Sequence, residues 1–292
     1  MTEIILYETA APNVARIVLN RPETRNAQDT QLLYALNAAY DRATQDETVK
    51  VIITAANGPH FSSGHDLREG DPLATQDGYD PVTTATGYRR AGAEGRQARE
   101  EEIYTGFCER WRNIPKPMIA AVHGRCSTGG LMLCWPTDII IASDDAVFED
   151  VTVMLGIPGA EMFMHPYELG ARKAKEMLFA GAHIGAQEAY ERGMVNRVVP
   201  RAQLAEITLA LAQQIALRPS FALKLAKQAV NNVQDAAGRH AAQAAAFAMH
   251  HLAHSHAMEV FGTPVDPGGV NKRVASGYTK GEEPWRQKAQ AS

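Results

Sequence analysis

Ile114–Ala142 reads IPKPMIAAVHGRCSTGGLMLCWPTDIIIA, and the fold is decided in this stretch. Pro115 and Pro117 stop any helix that arrives from upstream. Met118 to Val122 is an apolar run of buried-strand length. His123-Gly124 ends that run, and Gly129-Gly130 leads into Leu131–Trp135, which reads as the first turns of a buried helix. Asp138 and then Ile139 to Ala142 read as a second buried strand. A strand, a glycine turn and a helix start aim free backbone N–H groups at one point, where developing negative charge is stabilised. The same pattern is also an ordinary tight α/β connection, so it gains meaning only with its neighbours.

Working outward, the N-terminal side alternates strand and helix. Ile4 to Tyr7 and Val14 to Leu19 are β-rich runs split by Pro12-Asn13, as in a hairpin. Asp29 is placed to cap a helix whose apolar face is Leu32, Leu33, Leu36 and Tyr40. Val49 to Thr54 is the next buried strand and ends in the small-residue loop AANGPHFSSGHDL. This alternation predicts an α/β fold with a parallel or mixed sheet. From Arg68 to about Arg99 the chain reads as a long loop, first rich in Gly, Asp, Thr and Pro and then charged. Loops of that length are usually functional or mobile. Its Arg89, Arg90, Arg96 and Arg99 are interleaved with Glu and read as a solvated face. Ile103, Phe107 and Trp111 then recur every four residues, which predicts a helix from Glu100 to Arg112.

On the C-terminal side, 146–170 reads as strand and turns, Ala171–Phe179 as a helix, and Val195–Val199 as a strand. A helical region follows with a break at Pro219, and the chain from Gly262 is expected to be extended. The expected organisation is a core over 1–200 with the 68–99 insertion, a helical region over 201–261 and a tail over 262–292.

Composition narrows the function. A net charge of −4 argues against a nucleic-acid binder. Cys108, Cys126 and Cys134 have no CxxC spacing and read as free thiols of a reducing compartment. No signal peptide or apolar stretch of membrane-spanning length is visible, so a cytoplasmic protein is expected. GRCSTGG lacks the G-x-S-x-G spacing of a nucleophile elbow, and no GxGxxG is found.

FSSGHDL, IPKPMIAAVHG…GG, MLGIPGAE and RGMVNRVV stand in the order and spacing of the crotonase superfamily. Over about residues 3–260 the chain resembles enoyl-CoA hydratases and isomerases. The resemblance implies a crotonase-like spiral of ββα units and a C-terminal helical region used in trimerisation, often with two trimers forming a hexamer. It also implies an acyl-CoA thioester as ligand and no cofactor beyond its coenzyme A. In the family, two backbone N–H groups hold the thioester oxygen; here they fall at His65 and Gly129. Coenzyme A contacts fall at Arg25 and Ala27 in RPETRNA and at Ser63, Asp66 and Leu67.

One departure decides the chemistry. The two glutamates with which hydratases of this family add water fall here at Met132 and Thr152, and neither can transfer a proton as a carboxylate does. Glu161, just after GIPGA, is the preferred substitute, set against its ordinary reading as a solvated turn residue. Asp150 could face the pocket. His65 and His165 titrate in the range that suits a proton shuttle, although a structural histidine is the plainer reading of His165. The 68–99 insertion is expected to wall or cover the acyl site. His250 and His254, in MHHLAHSHAM, have the i, i+4 spacing of zinc ligands. No carboxylate or cysteine completes a set there, so this segment reads as a trimer-facing or surface helix and no metal is expected. The enzyme reading competes with a non-catalytic acyl-CoA binding protein that keeps the fold.

Overall fold

The computed structural model describes residues 3–67, 69 and 78–269. The expected hairpin is β1 (Ile5–Ala11) and β2 (Val14–Leu19), paired antiparallel. Asn13 takes the left-handed conformation its turn requires, with φ of 65°. Asp29 caps α1 (Thr30–Gln45) by accepting from Leu32 N at 2.8 Å, and α1 leads to β3 (Val51–Ala56).

The next helical stretch begins earlier than expected. α2 (Gly92–Glu100) continues through a wide π-turn, Glu101–Gly106, into α3 (Phe107–Arg112). The charged run is therefore helical rather than loop. Arg99 is buried rather than solvated, because it donates to Thr30 Oγ1 and pairs with Glu69. Of the expected covering insertion, residues 68 and 70–77 lie outside the described residues.

The deciding stretch supplies β4 (Met118–Val122), a short β5 (Arg125–Ser127), a 3-10 turn over Thr128–Gly130, α4 (Leu131–Cys134) and β6 (Ile139–Ser143). Then come β7 (Val147–Glu149), α5 (His165–Leu169), α6 (Ala171–Ala180), β8 (Ile184–Gly185), α7 (Ala186–Glu191) and β9 (Arg197–Val199). α5 corrects the expectation of strand and turns in this region. Pro166 sits in its first turn, where a missing N–H costs nothing.

One sheet runs β1-β2-β3-β4-β6-β9 and a second β5-β7-β8. Successive steps give one strand to each sheet, β4 then β5 and β6 then β7, so the chain winds as a spiral. Alternate residues of the large sheet serve different layers. Ile52, Met118, Ala120 and Val122 face α1, α3 and α4, while Ile53, Ile119, Ala121 and Ile141 face α8 (Leu204–Ala216). Burial on both faces explains why these strands read as unbroken apolar runs.

Two more helices, α9 (Ser220–Ala236) and α10 (Arg239–Phe261), complete the described chain. Fully buried Arg239 grips Glu109 of α3 through two bonds, at 2.8 and 2.9 Å, and so lays α10 across the core. Cys108, Cys126 and Cys134 are buried free thiols. No described helix is long and apolar enough to cross a membrane. Of the expected tail, residues 270–292 lie outside the described residues.

Glu102, in the π-turn, fixes the segment before α2. Its carboxylate accepts from the N–H groups of Val82, Thr83 and Thr84, at 2.6, 2.7 and 2.8 Å. Glu102→Ala removes the acceptor from three N–H groups, of which only that of buried Thr84 lies in a buried hydrogen bond, and is expected to cost roughly 2 kcal/mol in urea unfolding. Exposed Glu101→Ala should stay within about 0.5 kcal/mol.

Candidate active site

The loop carrying FSSGHDL is stitched between two other segments. Ser62 bridges Cys126 of β5, and His65 bridges Gln28 in parallel fashion. In that second bridge Gln28 N donates to Gly64 O and Asp66 N donates to Gln28 O, at 2.8 and 2.7 Å. The amides used for pairing thus flank His65, and the N–H of His65 points away from the ladder. Gln28 acts twice, because its side-chain Nε2 donates to Gly129 O at 2.6 Å. Gly129 lies in the first turn of a 3-10 helix, where N–H groups have no intrahelical acceptor.

The approach of these segments demands glycines. Gly64 has φ of 88°, and a Cβ there would meet Ser127 O at 2.8 Å and Gly129 N at 3.2 Å. A Cβ on Gly129 would meet Cε1 of His65 at 2.6 Å. Thr128 between them holds φ of 49°, a strained setting for a β-branched residue.

Glu161 is 5% exposed and its Oε2 accepts from His65 Nε2 at 3.1 Å. The His65 ring packs on Tyr104 of the π-turn, with centroids 4.3 Å apart and the planes tilted by 40°. Glu161 Oε1 stands 3.5 Å from His250 Nε2 of α10, and Glu100 Oε2 of α2 stands 3.4 Å from the same nitrogen. Burial alone would raise the pKa of Glu161, but His65 and His250 outweigh it and hold the carboxyl at about 2. Burial likewise disfavours an imidazolium at His250, yet Glu161 and Glu100 raise its pKa to about 9. His251, desolvated beside His250 and His254, falls to about 4. Because ionised Glu161 can only accept, His65 donates to it through Nε2. Its Nδ1 is buried and without a hydrogen-bond partner among the described residues.

Of the residues singled out in the sequence, the structure gathers His65, Gly129 and Glu161 at this junction. Asp150 and His165 stand behind it. Asp150 is fully buried and accepts from Thr152 N, Thr152 Oγ1, Ala160 N and His165 Nε2, at 2.9, 2.7, 2.9 and 2.8 Å. Weighed above as facing the pocket, its carboxylate is instead committed to pinning the loop that ends in Glu161. His165 packs its ring on Trp135 and Phe163 as the partner of that carboxylate. Met132 is buried in α4, and its carbonyl accepts from Cys108 Sγ at 3.3 Å. Arg25, Ala27, Ser63, Asp66 and Leu67 share one edge, where Ser63 N donates to Arg25 O at 3.0 Å. Arg25 and Leu67 reach solvent there and Ala27 is buried.

Gln28, Tyr104 and Glu100 were not anticipated. Gln28 adjoins the RPETRNA turn and was the most accessible of the three. The other two are brought in by the π-turn, which no spacing announces. The statement that no carboxylate completes the histidine set is corrected as well: buried Glu100 lies within 4.8 Å of both His250 and His254.

Comparison with known proteins now bears directly on this site. The profile of the enoyl-CoA hydratase/isomerase family matches residues 9–262. This chain belongs to that family. EchA13 of Mycobacterium tuberculosis, provisionally named an enoyl-CoA hydratase, is 44% identical over 92% of this chain and 86% of its own. The mitochondrial enoyl-CoA hydratase domain-containing protein 3 of Rattus norvegicus is 35% identical over 70% of this chain and 62% of its own. Among solved structures, a provisionally named enoyl-CoA hydratase of Mycobacterium smegmatis is 47% identical with a TM-score of 0.81, covering 90% of this chain and 99% of that one. An enoyl-CoA hydratase/isomerase of Xanthobacter autotrophicus Py2 is 31% identical with a TM-score of 0.78, covering 95% of each. The mixed α/β spiral is thus the crotonase fold, and acyl-CoA processing is the family's chemistry.

The Asp150 anchor has a pH signature. Burial would raise its pKa, but the His165 partner and the Thr152 bonds bring it below the ordinary carboxylate value. A lowered folded-state pKa contributes stability above about pH 4, the unfolded value, and loses it as pH falls through the folded value. Asp150→Asn is expected to cost roughly 2–4 kcal/mol at pH 7 by chemical denaturation, because it turns an NH2 donor toward groups that already donate there. The gap from the parent should narrow as the pH is taken below about 4.

Proposed function

We propose that this chain shifts the double bond of an enoyl-CoA thioester through an enolate, with the His65–Glu161 pair carrying the proton. The carrying observation is the junction itself. An ionised, buried carboxylate holds the ring of the residue whose backbone N–H, with that of Gly129, would receive the thioester oxygen.

The pair takes a proton from the carbon beside the carbonyl of a 3-enoyl thioester. The electrons pass into the carbonyl, and the oxyanion is met by the N–H groups of His65 and Gly129. The same proton returns at the γ-carbon, leaving the conjugated 2-enoyl thioester. One proton carrier suffices for this, whereas hydration in this family uses two carboxylates, and Met132 and Thr152 stand in their places. Glu161 fixes the tautomer so that His65 Nδ1 is the free base, the arrangement of a carboxylate–histidine dyad. Coenzyme A would lie along the edge made by Arg25, Ala27, Ser63, Asp66 and Leu67. No cofactor is called for. The apolar side chains Phe221, Leu225, Val230 and Val233 of α9 and Met249 and Leu252 of α10 are exposed, which supports burial of these helices in a trimer or hexamer. We assign the protein to the cytoplasm.

Purified protein incubated with 3-enoyl-CoA should generate conjugated-enoyl absorbance. Glu161→Gln is expected to lower kcat by roughly 10²–10⁴-fold while acyl-CoA binding is retained. His65→Ala keeps the backbone N–H and loses the ring. A comparable fall assigns the proton to the dyad, and a full rate assigns it to Glu161 alone. Gly129→Ala, which pushes a methyl into the His65 ring, should cost about 10²–10³-fold. Binding without turnover of 3-enoyl- or 2-enoyl-CoA would replace the enzyme reading with the non-catalytic acyl-CoA binding protein that Met132 and Thr152 keep open.

A further inference from the structure

Behind Glu161, the imidazoles of His250 and His254 face each other with their Nε2 atoms 2.9 Å apart. Each ring is fixed from its far side by a backbone carbonyl. His250 Nδ1 donates to Gly159 O at 3.0 Å, and His254 Nδ1 donates to Pro264 O at 2.5 Å. With both Nδ1 protons so placed, two neutral rings would point lone pairs at one another across that gap. Glu100 adds its carboxylate, with Oε2 3.4 Å from His250 Nε2 and Oε1 3.5 Å from His254 Nε2.

A positive centre is required there, and a proton serves it poorly. One proton on His250 Nε2 has three claimants, His254 Nε2, Glu100 Oε2 and Glu161 Oε1, and can be donated well to only one. Buried Glu100 Oε2 and His251 Nε2, 3.3 Å apart, find no hydrogen-bond partner among the described residues. A divalent cation takes His250 Nε2, His254 Nε2 and the Glu100 carboxylate together. Bonds of about 2.0–2.1 Å in tetrahedral geometry separate ligand atoms by roughly 3.3–3.4 Å; the carboxylate–nitrogen separations are 3.4 and 3.5 Å, and the two nitrogens, at 2.9 Å, would move slightly apart. Imidazole Nε2 ligands oriented by Nδ1–H bonds to carbonyls are the usual second layer of a histidine metal site. Two histidines and a carboxylate select a first-row ion of the zinc type over magnesium or calcium.

We propose that Glu100, His250 and His254 form a binding site for one zinc-class divalent cation per chain. The cation fastens α2 of the insertion to α10 directly behind Glu161. Its role is to hold that wall together, and the proposal stands whether or not the double-bond shift is the reaction.

The test uses the full-length, untagged chain, stripped with chelator and then titrated with Zn²⁺ and Co²⁺. One tightly held Zn²⁺ per chain by elemental analysis, a raised melting temperature, and the visible absorption of four-coordinate Co²⁺ are expected. His254→Gln and, separately, the near-isosteric Glu100→Gln should weaken binding by more than the roughly 10–100-fold typical of second-layer changes. His256→Gln, at an exposed position of the same helix, should leave it unchanged. Far-UV circular dichroism checks that each variant is folded. If the parent chain retains no Zn²⁺ beyond loose surface binding, or if both ligand variants bind as it does, the site is a proton-bridged histidine pair and the proposal fails.

Discussion

Burying two carboxylates at one point is the constraint around which this molecule is arranged. Glu100 and Glu161 are 7% and 5% exposed, and ionised groups so placed must be compensated locally or they disrupt the fold. The compensation is drawn from distant parts of the chain: His65 from the loop after β3, and His250 and His254 from α10. α10 cannot reach that place without its own anchor. Arg239 supplies it by gripping Glu109 at the helix start, while the Gly159 and Pro264 carbonyls orient the two imidazoles further along. The helical region is therefore part of the site.

The backbone near the junction holds strain in place by over-determination. A threonine at φ of 49° costs about 1–2 kcal/mol and persists only where its neighbours fix it. On one side Ser127 N donates to Ser62 O, and on the other Gln28 Nε2 holds Gly129 O. Gly64, with nothing but hydrogen where a Cβ would strike Ser127 O, lets the two strands of backbone lie close. The amides of His65 and Gly129 are thereby positioned by main chain together with the Gln28 side chain, and such fixed placement is what electrostatic preorganisation asks of a hydrogen-bond donor.

Much of the fold was legible because its signals are local. Asp29 capping α1, the unbroken apolar runs of β3, β4 and β6, and the break at Pro219 each need only a few neighbouring residues to be read. The order of the four motifs identified the family, and placed attention on His65, Gly129 and Glu161. What was not legible arises from long-range geometry. Charge interleaving made Arg99 look solvated, whereas Thr30 and Glu69 draw it inside. Nothing in EGRQAREEE says that the helix widens into a π-turn, yet that widening accompanies the burial of both Glu100 and Tyr104 at the site. The histidines of α10 looked incomplete because their carboxylate lies in another element altogether.

Under the proposed function, Thr152 and Glu161 belong to a single structural arrangement. A glutamate at position 152 would have to project its side chain toward substrate. Here Thr152 turns its hydroxyl and its N–H back onto Asp150 Oδ1 instead. That bond fixes Asp150, whose second oxygen accepts from His165 and from Ala160 N. Ala160 immediately precedes Glu161, so the interaction that replaces the missing side chain also sets where the remaining one emerges. Gly159, between these bonds, gives its carbonyl to His250, and through it α10 is tied to the same loop. A glutamate at 152 would lose the hydroxyl bond to Asp150, and with it part of what holds Glu161 against His65.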